Sequence, residues 1–283
     1  MGRSATAGAI MNFLRRPAFL VGLVLVGVVA IAAIAAGWIA PFDPVKNNYR
    51  YRLGAPNDLY LLGTDRYGRD VLSRILFGAG VSLRIGLAVA VLSGLAGASI
   101  GLISGWWRPA DAWLMRVMDG MMAFPGLLLA IALAATLGPS EATAIVALTV
   151  AYTPRTARVM RAAVLVARAL DYVEAARAVG ANTARILAKH ILPACAAPLA
   201  VQQTFVFAVA ILAEAVLSFV GVGPPPPQPT LGSIIADGRD TLVEAPWIAL
   251  APGTVIAMLV LGLNLLGDTL RDALDPRMRG MLR

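Results

Sequence analysis

Apolar runs long enough to cross a lipid bilayer constrain this chain more than any other feature. A hydrocarbon core of about 30 Å takes about 20 apolar residues in one helix, and lipid offers no partner to an unpaired backbone amide or carbonyl. Runs at 17–40, 79–106, 114–137, 199–220 and 247–266 meet that requirement. A weaker run, 142–154, ends at Pro154 and Arg155 and crosses only if its helix continues past the arginine. The first run follows Arg15 and Arg16 as a secretory signal would. Its apolar core is too long for that, and no cleavage site opens a soluble chain behind it, so it is read as a retained anchor. Composition agrees with an all-α protein embedded in membrane lipid: 59% of the 283 residues are apolar, 14% are charged, and the mean hydropathy is +0.76.

The basic residues decide the number of crossings. With 142–154 counted there are six spans and both ends lie on one side. That side then holds 16 Lys and Arg, against seven on the other, and the first loop of the other side offsets its share with Asp43, Asp58, Asp65 and Asp70. With five spans the most basic loop would face outward, against the rule that cationic loops stay in the cytoplasm. The reading is therefore six transmembrane helices. Residues 1–16 form a cytoplasmic N-terminal segment, 17–40 the first span, 41–78 an outer loop, 79–268 a five-helix core, and 269–283 a cytoplasmic tail. Within the core lie a cytoplasmic loop at 156–197 and an outer proline-rich loop at 221–246.

The net charge of +8 does not indicate nucleic acid, because the cations sit in short loops beside apolar runs, where they orient the chain. Cys195 is the single cysteine and His190 the single histidine, so neither a disulfide nor a usual zinc or iron–sulfur ligand set is expected.

Against this background the stretch EAARAVGANTARILAKHILP, 174–193, is anomalous. It is rich in alanine and charge, and it lies on the cytoplasmic loop. Asp171 is expected to cap a short helix, with Glu174 three residues on completing a capping box. Gly180 permits a turn that a side chain would resist. The small Ala175, Ala176 and Ala178 leave room for another surface to approach the backbone, as a docking helix needs.

The pattern formed by Glu174, Ala175, Ala176, Gly180, Leu192 and Pro193 resembles the cytoplasmic EAA loop of binding-protein-dependent ABC importer permeases. His190 stands where the general pattern has isoleucine, as in the peptide-importer branch. LGTDRYGRDVLSRILFGAGVSL (62–83), ILAEAVLSFVGVG (211–223) and NLLGDTLRDALDP (264–276) are similar to segments of the C-type subunit of dipeptide, oligopeptide and nickel importers. The resemblance implies a type I ABC importer permease fold with a coupling helix starting near Asp171. It also implies a bacterial inner-membrane location and three kinds of partner: a second homologous permease, two ABC ATPases, and an extracytoplasmic substrate-binding protein. ATP and Mg²⁺ would then sit on the ATPases. This chain has no Gly-x-x-x-x-Gly-Lys-Ser/Thr segment to cradle a nucleotide, so it is expected to bind no cofactor and to catalyse nothing.

Other polar residues are candidates for contact or passage. In the outer loops, Asp65, Arg69 and Asp70 are expected to pair locally and position the second helix, and they join Thr230 as candidate contacts for a binding protein. PPPPQP, 224–229, is expected to be extended polyproline. Within the spans, Arg84, Gln202, Glu214 and Asn264 either line a path or make structural contacts, since an ionisable group at membrane depth demands a partner or water. Pro125 is expected to kink the third span. The resulting expectation is an ABC importer permease for di- or oligopeptides. A nickel or small-chelate importer shares the same motifs. An ion-driven secondary transporter would instead show inverted repeats and paired intramembrane acids, of which only one acid, Glu214, is found.

Overall fold

The computed structural model describes residues 16–274, so nearly all of the expected N-terminal segment 1–16 and the last nine residues of the expected tail 269–283 lie outside the described residues. Helices dominate. Helix α1 spans Pro17–Ile34 and is followed by one helical turn at Ala36–Ile39. Helix α2 spans Val71–Trp106, α3 Arg108–Met122, α4 Gly126–Leu137 and α5 Glu141–Ala167. Helix α6 spans Asp171–Ala178 and α7 Thr183–Ile186, which runs through a π-helical turn at Leu187–Ile191 into α8, Leu192–Val220. Helix α9 spans Leu231–Gly238 and α10 Trp247–Leu274.

Among the described residues, α1, α2, the continuous run 183–220 and α10 are long and apolar enough to cross a membrane. Helices α3 and α4 form a fifth crossing if taken as one broken span, bent by 86°. The bend is far sharper than the kink expected at Pro125. Proline lacks the amide that would close the turn, and α3 is an amphipathic helix rather than the start of an apolar one. Its carboxylates tie it sideways to α5: Asp111 accepts two bonds from Arg161, at 2.5 and 2.6 Å, and Asp119 accepts one from Arg158 at 2.6 Å.

Helix α5 continues past Pro154 and Arg155 to Ala167, a length of 27 residues or about 40 Å, but it is not apolar enough to stand among the helices that meet the requirement for a span. Its path is set by small residues on α2. A side chain added at Gly97 would meet Thr156, at Gly101 Ala157 and Met160, and at Gly105 Val164. The contacts advance along both helices in the same order, so α2 and α5 run parallel and the α3–α4 pair returns between them. The two ends of the described chain also meet, since Arg16 before α1 pairs with Asp272 on α10 at 3.1 Å. That contact puts the two ends of the described chain at one end of the bundle.

The second helix begins eight residues before the expected 79, so the outer loop ends at Asp70 rather than 78. Ser73, Arg74 and Gly78 hide the helix from a hydropathy reading. What starts it is Asp70, whose Oδ2 accepts from the Ser73 amide at 2.8 Å and from the Ser73 hydroxyl at 2.6 Å. Asp70→Ala is expected to cost about 1 kcal/mol and to speed hydrogen exchange over the first turn of α2. Unchanged exchange there would show that the cap is idle.

Three apolar clusters hold the bundle together. One, with Ile75, Leu231, Ile248 and Leu259, joins α2, α8, α9 and α10. A second, with Ile85, Leu148 and Leu217, joins α2, α4 and α5 to another face of α8, and Met160, Val164, Val173, Ile191 and Cys195 form the third, under α6.

Candidate functional site

Helix α6 is seated on the third cluster by Val173, with Ala176 packed beside it. Val173 is fully buried among Met160, Val164, Ile186, Ile191 and Cys195, which belong to α5, α7 and the start of α8. The rest of the helix faces outward: Asp171, Glu174, Ala175 and Ala178 are exposed, Ala176 is half-buried, and Val179 is 84% exposed. A surface that presents two carboxylates, small side chains and a bare valine is suited to receiving a protein groove.

Asp171 is not the cap. Leu170 holds that position without a side-chain bond, and Asp171 and Glu174 both fall in the first helical turn. The expected capping box is therefore absent. The two carboxylates instead favour the positive end of the helix dipole while pointing to solvent. Gly180 does what its lack of a side chain allows, with φ at +80°. The chain then re-enters helix at Asn182, whose side chain accepts from the Arg185 amide at 2.8 Å. His190 lies in the π-helical turn with its ring 5.9 Å from that of Tyr172, and Pro193 sits in the first turn of α8. The guanidinium of Arg177 lies 5.0 Å over Trp106, the last residue of α2. Helix α6 thus touches α2, α5 and the α7–α8 run at once. Tyr172, Arg177 and Trp106 carry two of these contacts and escaped the sequence reading. The signal for them was an arginine and aromatics at helix ends on the same side of the bundle.

At the opposite end the outer loops are knitted by charge. Asp65 is fully buried; its Oδ2 accepts from Arg69 Nε and Arg74 Nη1, both at 2.6 Å. Asp237 of α9 accepts from Arg66, Arg69 and Arg74 at 2.9–3.0 Å. The local pairing expected of Asp65 and Arg69 is present, while Asp70 caps α2 instead. Thr230, fully buried, caps α9 in a reciprocal pair of bonds with Ser233. Burial of Asp65, Asp70 and Thr230 corrects the expectation that they meet a partner directly; they hold the outer structure in place. Asp237 and Arg74, which the sequence reading did not single out, complete the cluster. The proline run is not continuous polyproline, because it turns at Pro226 and Pro227, whose peptide bond is cis.

Within the bundle Glu214 is fully buried and held by hydroxyls, accepting from Ser82 at 2.6 Å and Ser218 at 2.7 Å. It stitches α2 to α8. Arg84 is not its partner; it is 59% exposed and pairs with Glu141 at 3.4 Å. Gln202 is buried beside a cavity of about 510 Å³ that Arg155 and Arg271 also line, and Asn264 is half-buried in α10. The structure brings Gln202 together with two cations and leaves Asn264 and Arg84 elsewhere.

Residues 96–280 match the family described as the binding-protein-dependent transport system inner membrane component. The chain belongs to that family. Residues 4–56 of the permease match the N-terminal transmembrane domain of oligopeptide transport permease C. Among curated relatives, a Brucella suis protein provisionally described as a peptide transport system permease is 52% identical, over 99% of this chain and 94% of its own. The dipeptide transport system permease DppC of Escherichia coli K12 is 45% identical, over 94% and 91%. The di/tripeptide permease DppC of Pseudomonas aeruginosa is 42% identical, over 95% and 91%. The inward-facing MetNI methionine ABC transporter aligns with a TM-score of 0.52 at 22% identity, over 69% of this chain and 95% of that chain, which shows a shared permease fold. The permease is thus a multi-pass inner-membrane component of an ABC transport system, a class that works with ATPases and a binding protein.

Proposed function

We propose that the permease carries di- or oligopeptides inward across the bacterial cytoplasmic membrane. It acts as the C-type member of two non-identical permeases, with both its ends in the cytoplasm. The observation that carries this reading is the exposed α6, held on the ends of α2, α5 and α8 by Val173 and Arg177. ATP and Mg²⁺ reside on two partner ATPases, and this chain contributes no catalytic group and binds no cofactor. When the ATPases close they push α6. Because its contacts reach three other segments, the push becomes rigid-body rocking of the spans between inward-open and outward-open states. Peptide cargo is supported by the names of the relatives from Escherichia coli and Pseudomonas aeruginosa.

The experiment is to purify the tagged chain from its native membrane in mild detergent and identify what accompanies it. Two ATPase subunits and a second, related permease are expected. A chain that arrives alone or as a homodimer, with uptake driven by a proton or sodium gradient, would overturn the reading.

A further inference from the structure

Five charged side chains meet in the outer loops, and their charges do not balance. Arg66, Arg69 and Arg74 bring three positive charges, while Asp65 and Asp237 bring two negative ones. Both carboxylates are already engaged. Asp65 binds two of the arginines through Oδ2 and the Tyr67 and Arg69 amides through Oδ1, and Asp237 is shared among all three arginines. Asp70 does not enter the group. Its Oδ2 is held by Ser73, its buried Oδ1 bonds none of the arginines, and it lines a different cavity, with Phe42 and Tyr60. The Nε atoms of Arg66 and Arg74 are buried without an acceptor. Buried guanidinium groups are tolerated when carboxylates complete them, and this group is one carboxylate short.

The cluster is also open on one side. Arg66, Arg69, Arg74 and Asp237 line a cavity of about 230 Å³ closed by Asn47 and the proline run. Sites that enclose a whole small ligand measure about 300–1,000 Å³, so this one suits the end of a single side chain. Arg66 stands at its mouth. Its side chain is 38% exposed, against 11% for Arg69 and 4% for Arg74, and its guanidinium is laid over the Tyr67 ring at 4.9 Å. A planar guanidinium held in place and partly open to solvent is a fork for a carboxylate.

We infer that this cavity receives an Asp or Glu side chain from the extracytoplasmic binding protein when it docks, supplying the third carboxylate. The inference rests on the importer reading above, which places a binding protein on this side of the membrane. Docking would then be registered at α9 and at the start of α2 together, because Asp237 and Arg74 belong to those helices and share the same network.

The test uses the assembled transporter in lipid nanodiscs and measures its Kd for the purified binding protein at low and at physiological salt. Arg66→Gln is expected to weaken binding about tenfold, the worth of a charge-assisted bond, and to flatten the salt dependence. Arg66→Lys, which keeps the charge and loses the fork, falls between. Arg239→Gln removes a cation at the end of α9 that is 63% exposed and paired with Asp240, and it leaves the Kd unchanged. Co-elution of each variant with the ATPases establishes that it is assembled. Wild-type affinity in the Arg66→Gln assembly overturns the inference alone. An equal loss in Arg239→Gln overturns it too, by showing general charge attraction. So does saturable, Arg66-dependent protection of the assembly against heat by a free dipeptide without the binding protein, which would assign the site to cargo. A wild-type assembly that binds no binding protein overturns the importer reading and this inference with it.

Discussion

Gly101→Leu is expected to leave almost no folded permease in the membrane. A side chain at Gly101 would stand 2.6 Å from the carbonyl oxygen of Ala157 and 2.6 Å from Met160 Cβ, both in α5. Neither can yield locally. The first is helix backbone, and Met160 is 1% exposed inside the cluster that seats α6. Overpacking costs about 1–3 kcal/mol where side chains can rearrange. Here two backbones must part, so more than about 3 kcal/mol is expected on the same scale. Lipid gives no compensating drive to push the helices back together, because membrane helices associate through close packing of small residues. Gly27→Leu in α1 is the matched control, since a side chain there would meet nothing within 4 Å. Size-exclusion chromatography of fluorescently tagged variants reads the outcome directly. A monodisperse Gly101→Leu peak as large as that of Gly27→Leu would show that the α2–α5 seam is not the packing constraint it is taken to be.

That seam illustrates what a sequence reading reaches and where it stops. Gly97, Gly101 and Gly105 are spaced by four, a pattern that marks one helix face as bare, but nothing in it names Thr156, Ala157 and Val164 as the partners. Span positions were legible because lipid enforces length and polarity on every run. Their starts were not, because Asp70 and Arg74 begin α2 only through contacts with Ser73, Asp65 and Asp237. Asp237 lies more than 160 residues from the arginines it binds, and the one local clue was a loop with more cations than its own acids could pair. The α6 segment shows both sides. Its place and its glycine turn followed from local chemistry, whereas the capping role given to Asp171 failed because the helix begins at Asp171 itself, one residue earlier than a cap there would require. The fate of Glu214 could not be read either, since Ser82 reaches it across 132 residues.

Gly180→Val is expected to abolish transport while leaving the permease inserted and assembled with its ATPases, which then hydrolyse ATP without responding to the binding protein. The argument rests on backbone alone. Gly180 has φ at +80°, and a side chain there would meet nothing within 4 Å, so no packing is disturbed. A left-handed residue with a branched side chain costs about 1–3 kcal/mol. The cheapest relief is for the turn to open. Opening it loses the bond from the Ala181 amide to the Ala176 carbonyl and lets α6 swing about Val173, away from Trp106. The spans keep their clusters, so insertion survives, but a push on α6 no longer reaches α2, α5 and α8 together. Gly180→Asn separates this account from a second one. Asparagine tolerates the left-handed region, so it retains most transport if the turn is what matters. If Asn fails as completely as Val, the bare backbone at Gly180 is itself the contact surface for the ATPase. If both variants transport at the wild-type rate, α6 is only a loop helix, and coupling must enter the membrane elsewhere.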